Sequence, residues 1–399
     1  MVFRQPGGGH ADADTGRLRR RGAPGAEAAV TGIEPVSARG CDVLVVGLGP
    51  GGGAAAAAAA AAGLRVIAID RKREIGAPVQ CAEFIPLPLS RHAMAGGVLA
   101  QRITGMKSRL PSGTALDMPF TGLMVDRAAF DRALAQTAAA AGAMLYAASS
   151  LLALDHERHT AQIKGPDDVW ETTYRVLIAA DGPHSTVARL LGLPPLQTVN
   201  TRQYTVPLLQ PSNDTDIWLS PSYPGGYAWL FPKVDQANLG LGMDARIAGD
   251  MKTPLDALHR ALAADGRIGA EILARTGGAI PVGGLRKPLT VGTALFVGDA
   301  AGLTHPVTGA GIAAAVASGE AAAGAAREYA DGTSGALTAY AEDIDDQFGE
   351  SLARAVARRA ELARIWNTAA AAEDARHRRG WIAFDEYYRA PLNAEEERL

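Results

Sequence analysis

The sequence predicts an α/β fold: a three-layer domain around a parallel sheet, a second sheet-based domain inserted into it, and a helical C-terminus. Three observations predict it. Short runs rich in valine, isoleucine and leucine recur at 42–46, 65–70, 175–180 and 294–297, each closing on or next to a glycine or an aspartate. Continuous apolar runs of this length are what parallel strands buried on both faces require. The first two runs flank a glycine-rich turn and an alanine helix, which makes one strand–turn–helix–strand unit. Between about 195 and 285 the pattern changes to alternating strand-like and turn-like segments, with Leu239, Leu241 and Met243 separated by glycines as in a half-buried strand.

Bulk properties narrow the function classes. The 399 residues exceed one compact core, so two joined domains are expected. A net charge of −3 gives no ground for a nucleic-acid partner. The two cysteines, Cys41 and Cys81, can neither staple a disulfide framework nor ligate an iron–sulfur cluster, and they suit a reducing cytoplasm. The eight histidines show no metal-ligand spacing. No run approaches the roughly 20 apolar residues of a membrane span. The longest, 54–62, is pure alanine and reads as a soluble helix. Residues 1–39 carry Gly7-Gly8-Gly9 and Arg17, Arg19, Arg20 and Arg21 without the apolar core of a secretory signal, and read as a disordered extension.

In chain order, the first strand ends at Val46. Gly47-Leu48-Gly49-Pro50-Gly51-Gly52 follows, and then the alanine helix, which Gly63 terminates. The second strand closes on Asp70. Residues 82–122, rich in proline and glycine, are expected to be an irregular insertion. A helix is expected over 130–141, strands over 144–154 and 175–180, a strand over 294–297, and a long helix from about Gly309. The remainder is expected to be helical with an acidic tail at Glu395–Glu397.

Three motifs carry chemistry. Gly47-x-Gly49-x-x-Gly52 follows a strand and opens a helix, a Rossmann-type arrangement. The first glycine makes the turn, the second lets backbone approach a pyrophosphate, and the third lets helix and strand pack. Asp70, 18 residues after Gly52, is placed to accept hydrogen bonds from ribose hydroxyls, with Arg71 beside it. The second motif, Asp181-Gly182-Pro183-His184-Ser185, ends a strand. By itself it reads as well as a turn with Ser185 as helix cap. The third is Gly298-Asp299-Ala300-Ala301-Gly302 with Pro306-Val307-Thr308-Gly309-Ala310-Gly311-Ile312. Here Asp299 can hold a ribityl hydroxyl, and a helix opening near Gly311 turns its N-terminus to where negative charge gathers on a reduced flavin. Together the three call for FAD as cofactor.

The order of these motifs resembles the flavoprotein hydroxylase superfamily and, within it, the geranylgeranyl reductase group. The closer likeness rests on Val125-Asp126-Arg127-x-x-Phe130-Asp131, on Gln80-Cys81-Ala82-Glu83, on the stretch from Pro224 to Lys233 containing Tyr227, Trp229 and Phe231, and on Ser318-Gly319. It covers roughly residues 41–345. The family loop often has glycines after the cysteine, where this chain has Ala82-Glu83-Phe84. The resemblance implies an FAD domain from 40–85, 123–190 and 290–345, a substrate domain from 86–122 and 191–289, and C-terminal helices over 346–399. It implies hydride transfer through flavin N5 to the double bonds of an apolar, prenyl-like substrate. NAD(P)H is a candidate electron donor, although the single dinucleotide fingerprint is used by FAD. A flavin monooxygenase acting on an aromatic or peptide-borne substrate, and a non-catalytic flavin-binding accessory protein, are the alternatives.

Individual side chains keep two readings. Tyr227, Trp229 and Phe231 alternate and so share one strand face, either a sheet core or an aromatic wall of a substrate tunnel. Cys81 reads equally as an active-site thiol and as an inert buried cysteine, with no basic neighbour in sequence to lower its pKa. Arg127 reads as a cofactor ligand or as the partner of Asp131 four residues on. Glu83 is a candidate proton donor, though a solvated loop residue is the commoner case. His184 and His305 read as local hydrogen-bonders. The helix carrying Phe348, Leu352 and Val356, with Arg354, Arg358, Arg359 and Arg364 expected outside its apolar stripe, reads as docking on the protein itself. Its sharper reading is a membrane-surface face, which would place the protein in the cytoplasm, peripheral to the inner membrane face.

Overall fold

The computed structural model describes residues 39–389 except Ala245 and Ala248. The expected N-terminal extension up to residue 38 and the acidic tail Glu395–Glu397 lie outside these residues.

The β-branched runs form one sheet of six strands in the spatial order Thr290–Val291, Ala294–Phe296, Val176–Ala179, Val43–Val46, Val66–Ile69 and Met144–Tyr146. All neighbours are parallel except the antiparallel edge pair Thr290–Val291 with Ala294–Phe296. Val43–Val46, Val66–Ile69 and Val176–Ala179 are buried at every position, as helices or other cover on both faces demand. The helix Pro50–Ala61 runs between the first two of these strands and ends where Gly63 takes φ +82°.

A nine-stranded, mostly antiparallel sheet is drawn from two segments of chain, 84–125 and 198–281. Its central strands are Ala228–Lys233, Gln236–Met243 and Asp214–Trp218, the last running parallel to Leu99–Arg109. Residues 82–122 are therefore irregular only in part: 87–98 forms a 3-10 helix and a turn, and most of the rest is sheet. Leu99–Arg109 and Ala115–Val125 are two 11-residue strands of a hairpin. Within the hairpin, Gly105 and Pro119 are absorbed by a register shift, where they stand opposite each other. A bulge there dispenses with a ladder donor that proline lacks. The expected strand over 144–154 is likewise two strands in two sheets. Met144–Tyr146 joins the six-stranded sheet and Ser150–Asp155 a four-stranded one, with Ala148 at φ +50° between them.

The helix Lys252–Ala264, which the alternating pattern of 195–285 does not announce, packs Leu255 and Leu262 on the nine-stranded sheet. The C-terminal helices Ile312–Ala330 and Ala336–Ala363 cover the six-stranded sheet. Leu352 is buried there and Phe348 packs against the same core. Arg358 does not lie outside the stripe. It is 1% exposed and donates to the carbonyls of Tyr387 and Arg389 and to Glu361. Among the described residues no helix is long and apolar enough to cross a membrane.

Candidate functional site

Glycine is obligatory in the first turn. Gly47 has φ +99°, and a Cβ on Gly52 would stand 1.8 Å from the Gly47 carbonyl oxygen. Gly49 differs: a Cβ there meets nothing within 4 Å, so the turn faces open space at this residue. Gly49 is the N-cap of Pro50–Ala61 and offers no side-chain cap, which leaves the first helical N–H groups for an anion. Asp70 is buried, and its two oxygens accept from the backbone N–H of Leu48 (2.7 Å) and of Lys72 (2.8 Å). Lone pairs remain for a diol. Arg71 stays exposed.

The helix Ile312–Ala330 presents a second uncapped N-terminus at Gly311. It lies against the first helix through small residues: a Cβ on Gly319 would approach the Gly51 oxygen to 2.2 Å, and one on Gly51 the Ala315 oxygen to 3.1 Å. Two helix starts are thus held side by side. Gly298 takes φ +55° and Gly309 φ +69°. Asp299 accepts from the Thr304 hydroxyl at 2.5 Å; burial raises its pKa, while Thr304 and the Arg127 charge act in the opposite sense. Asp181 receives the N–H groups of Thr186 and Val187 on Oδ2, and Ser185 caps the same helix start. Oδ1 of Asp181 is buried without a partner. An orphaned carboxylate oxygen, two uncapped helix starts and an open glycine turn are the polar complement of a flavin dinucleotide, so these residues fit FAD.

Arg127 connects the motifs. It pairs with Asp131 at 3.0 Å, and its charge also acts to lower the pKa of Cys81 and of Asp299. Burial opposes its charge, but Asp131 and Cys81 outweigh burial and hold its pKa above the ordinary value. The basic neighbour that the sequence around Cys81 lacks therefore arrives from the helix Arg127–Ala140. Burial nevertheless prevails on Cys81 and keeps its pKa above that of a free thiol, so the group is protonated at neutral pH.

Glu83 is not solvated. It is 5% exposed at φ +70°, accepts both oxygens' worth of hydrogen bonds from Lys233 (2.9 Å each), and also binds Asn238 Nδ2 and the Arg127 N–H. It anchors the Cys81 loop to the sheet. Breaking a buried pair strands a charge, so Lys233→Met is expected to cost about 3 kcal/mol. Urea unfolding checks this; a loss under about 1 kcal/mol, the range of surface pairs, would contradict the anchor.

The two faces of Ala228–Lys233 separate cleanly. Ala228 and Leu230 enter one core, while Trp229, with Tyr227 and Phe231, enters another that includes Met106, Ile217, Trp381 and Phe384. Gly240 leaves the room Trp229 needs, since a Cβ there would stand 2.3 Å from the indole. Tyr227 donates to the Thr308 carbonyl at 2.5 Å, which ties the aromatic face to the Pro306–Ile312 loop. Gln203 ties the same face to the cysteine loop, accepting from Trp229 Nε1 (3.1 Å) and donating to the Cys81 carbonyl (3.0 Å). Gln203, Thr304 and Trp381 carry no sequence motif, and only the pairing of distant segments reveals them.

His305 holds the same loop. Its Nδ1 accepts from the Thr308 N–H, which leaves the proton on Nε2 toward the Tyr387 hydroxyl at 3.3 Å. Burial lowers its pKa from 6.5 to about 4. Between those values the unfolded chain binds a proton that the folded protein refuses. Stability is therefore lost as pH falls through this window, by about 3 kcal/mol from this group. Urea titrations at several pH values should show a shallower decline for His305→Gln; an equal decline would place the proton elsewhere.

Residues 198–280 match the geranylgeranyl reductase catalytic domain. The digeranylgeranylglycerophospholipid reductase of Methanocella arvoryzae is 33% identical over 332 residues, 78% of this chain and 84% of that protein. The solved structure of a geranylgeranyl bacteriochlorophyll reductase-like protein from Thermoplasma acidophilum superposes with a TM-score of 0.80 at 27% identity, over 90% of this chain and 95% of that one. A flavin-dependent brominase superposes with a TM-score of 0.65 at 17% identity, over 82% and 88%, which shows a shared fold alone. With a relative one-third identical over 78% of its length and a catalytic-domain match at 198–280, the chain belongs to the geranylgeranyl reductase family of FAD-dependent oxidoreductases.

Proposed function

We propose that the chain reduces carbon–carbon double bonds of a prenyl chain carried on a polar lipid. The carrying observation is the aromatic face of Tyr227, Trp229 and Phe231, tied at one end to the flavin loop and at the other to the Cys81 loop. The names of the archaeal relatives agree with it.

FAD, when bound, supplies the redox equivalents. The chain's own residues bind, orient and protonate. Gly47, Gly49 and Gly52 with the helix start at Pro50 hold the pyrophosphate. Asp70 takes the adenosine ribose, with Arg71 at the rim. Arg127, Asp181, Gly182, Gly298 and Asp299 would hold the ribityl chain. Gly311 and Ile312, at the uncapped helix start, would present N–H groups to the pyrimidine side of the ring, while Pro306, which has no N–H, and Gly309, whose N–H is donated to the His305 carbonyl, shape the loop around it. Segments 40–85, 123–190 and 290–345 form this cofactor domain, and 86–122 with 191–289 the substrate domain. Tyr227, Trp229 and Phe231 exclude water and align an apolar chain. Saturating an alkene requires one proton besides the hydride equivalent, and the protonated Cys81 thiol is the group placed to give it. NAD(P)H or another reductant visits transiently, since the one dinucleotide fingerprint is taken. The face contacting lipid is peripheral, on the cytoplasmic side.

The test is product mass. Anaerobic protein with a chemical reductant and a digeranylgeranyl glycerophospholipid should yield products heavier by two hydrogens per reduced bond. No hydrogenated product, with oxygen incorporated into an aromatic acceptor in air, would favour a monooxygenase instead.

A further inference from the structure

A cavity of about 330 Å³ lies among Tyr204, Lys252, Asp256, His259, Arg260 and Arg275. It sits on the opposite face of the nine-stranded sheet from the proposed reductase site. Tyr204 belongs to the core containing Leu230 and Leu239, whereas its neighbour Gln203 points to the Cys81 loop. The proposed reduction uses none of these six residues.

The cavity is built around a buried ring. Tyr204 is 1% exposed, and its hydroxyl donates to Asp256 at 2.7 Å. The Arg275 guanidinium lies 5.7 Å from the Tyr204 ring centroid, and His259 meets the ring edge-on at 6.1 Å. One aromatic thus positions a cation, an imidazole and a carboxylate around the same space. His259 is 8% exposed, and its Nε2 is buried with no hydrogen-bond partner. A buried imidazole nitrogen without a partner costs stability unless something outside the chain satisfies it. Lys252, Arg260 and Arg275 against Asp256 leave a surplus of two positive charges at the cavity. The helix start does not contribute, because Asp250 already accepts the N–H groups of Lys252 and Thr253.

We propose that this cavity binds a phosphate-class oxyanion, a phosphomonoester or phosphodiester. Arg260 and Arg275 supply charge-assisted hydrogen bonds, and His259 lines the cavity as a buried polar ring that an oxyanion can satisfy once the wall adjusts. Two sources share this chemistry, a soluble phosphorylated molecule and a phospholipid headgroup. The opposite face keeps such a ligand out of contact with the flavin-side residues, so the site anchors or regulates.

The experiment uses the full-length FAD-loaded protein. Inorganic phosphate and pyrophosphate are titrated with phosphorus NMR and calorimetry, and phosphatidylcholine vesicles with and without phosphatidylglycerol are co-sedimented. Each is repeated with the double variant R260E/R275E and with His259→Gln, after FAD content and circular dichroism show both folded. Saturable binding of pyrophosphate, weakened about tenfold or more in the double variant and less in His259→Gln, is expected. Binding to phosphatidylglycerol vesicles alone, lost in the double variant, assigns the headgroup source; binding to the free anions alone assigns a soluble ligand. No binding of any probe, or equal binding by wild type and double variant, overturns the proposal whatever the reductase assay gives.

Discussion

Cys81→Ala is expected to lower turnover of a prenyl substrate about a hundredfold, the usual contribution of a positioned proton donor, while FAD stays bound. Arg127 next to the thiol would, by itself, favour thiolate and a nucleophile. Burial outweighs it and leaves the pKa above the ordinary 9.0. A group in that state gives protons rather than attacking. Activity that depends on protonated Cys81 persists through neutral pH and falls only above pH 9, and this limb should vanish from the residual activity of Cys81→Ala. Initial rates of wild type, Cys81→Ala and Cys81→Ser across alkaline pH check this. Undiminished turnover by Cys81→Ala would remove the thiol from the mechanism and leave it a loop residue held by the Glu83 N–H.

Gly52→Val should yield protein without the yellow cofactor. The new Cβ would lie 1.8 Å from the Gly47 oxygen and 3.0 Å from the Ala180 side chain, so helix and strand must part. Overpacking of this kind costs roughly 1–3 kcal/mol or more. Lost FAD could then reflect lost fold, and Gly49→Ala separates the two. Its Cβ meets no protein atom within 4 Å, and its φ of −74° suits alanine. Thermal unfolding of the apoprotein should be unchanged within about 0.5 kcal/mol, as for a surface substitution, while FAD affinity drops at least about tenfold. Equal FAD content in Gly49→Ala and wild type would mean that no pyrophosphate approaches this turn.

The parallel strands and the glycine turn were legible in the sequence because each reports a local condition. A strand buried on both faces must be apolar throughout, and a turn that brings Gly52 onto Gly47 admits no side chain. The common face of Tyr227, Trp229 and Phe231 follows from period two alone, and the Arg127–Asp131 pair from helical spacing. What stayed illegible depends on distant partners. The hairpin of 99–125 looked irregular because Gly105 and Pro119 break the strand pattern separately and make sense only opposite each other. Glu83 looked solvated because its counter-ion Lys233 is 150 residues away. Arg358 looked like the outer face of an amphipathic helix because the carbonyls it caps belong to the segment after 385. The environment of Cys81 is the consequential case. Sequence neighbours alone leave it without a basic residue, and folding supplies Arg127, Gln203 and the aromatic face together.

In the proposed reaction, electrons from bound FAD go to a prenyl double bond at the aromatic face beside Cys81. The direct measurement is reoxidation of the anaerobically reduced holoprotein, followed by the visible flavin band in a stopped-flow instrument. Fast return of the oxidised spectrum is expected on mixing with a geranylgeranyl lipid, slow return with oxygen alone, and a prenyl-driven phase slowed about a hundredfold in Cys81→Ala. Reoxidation that ignores the prenyl compound, with rapid oxygen consumption stimulated by an aromatic acceptor, would contradict it.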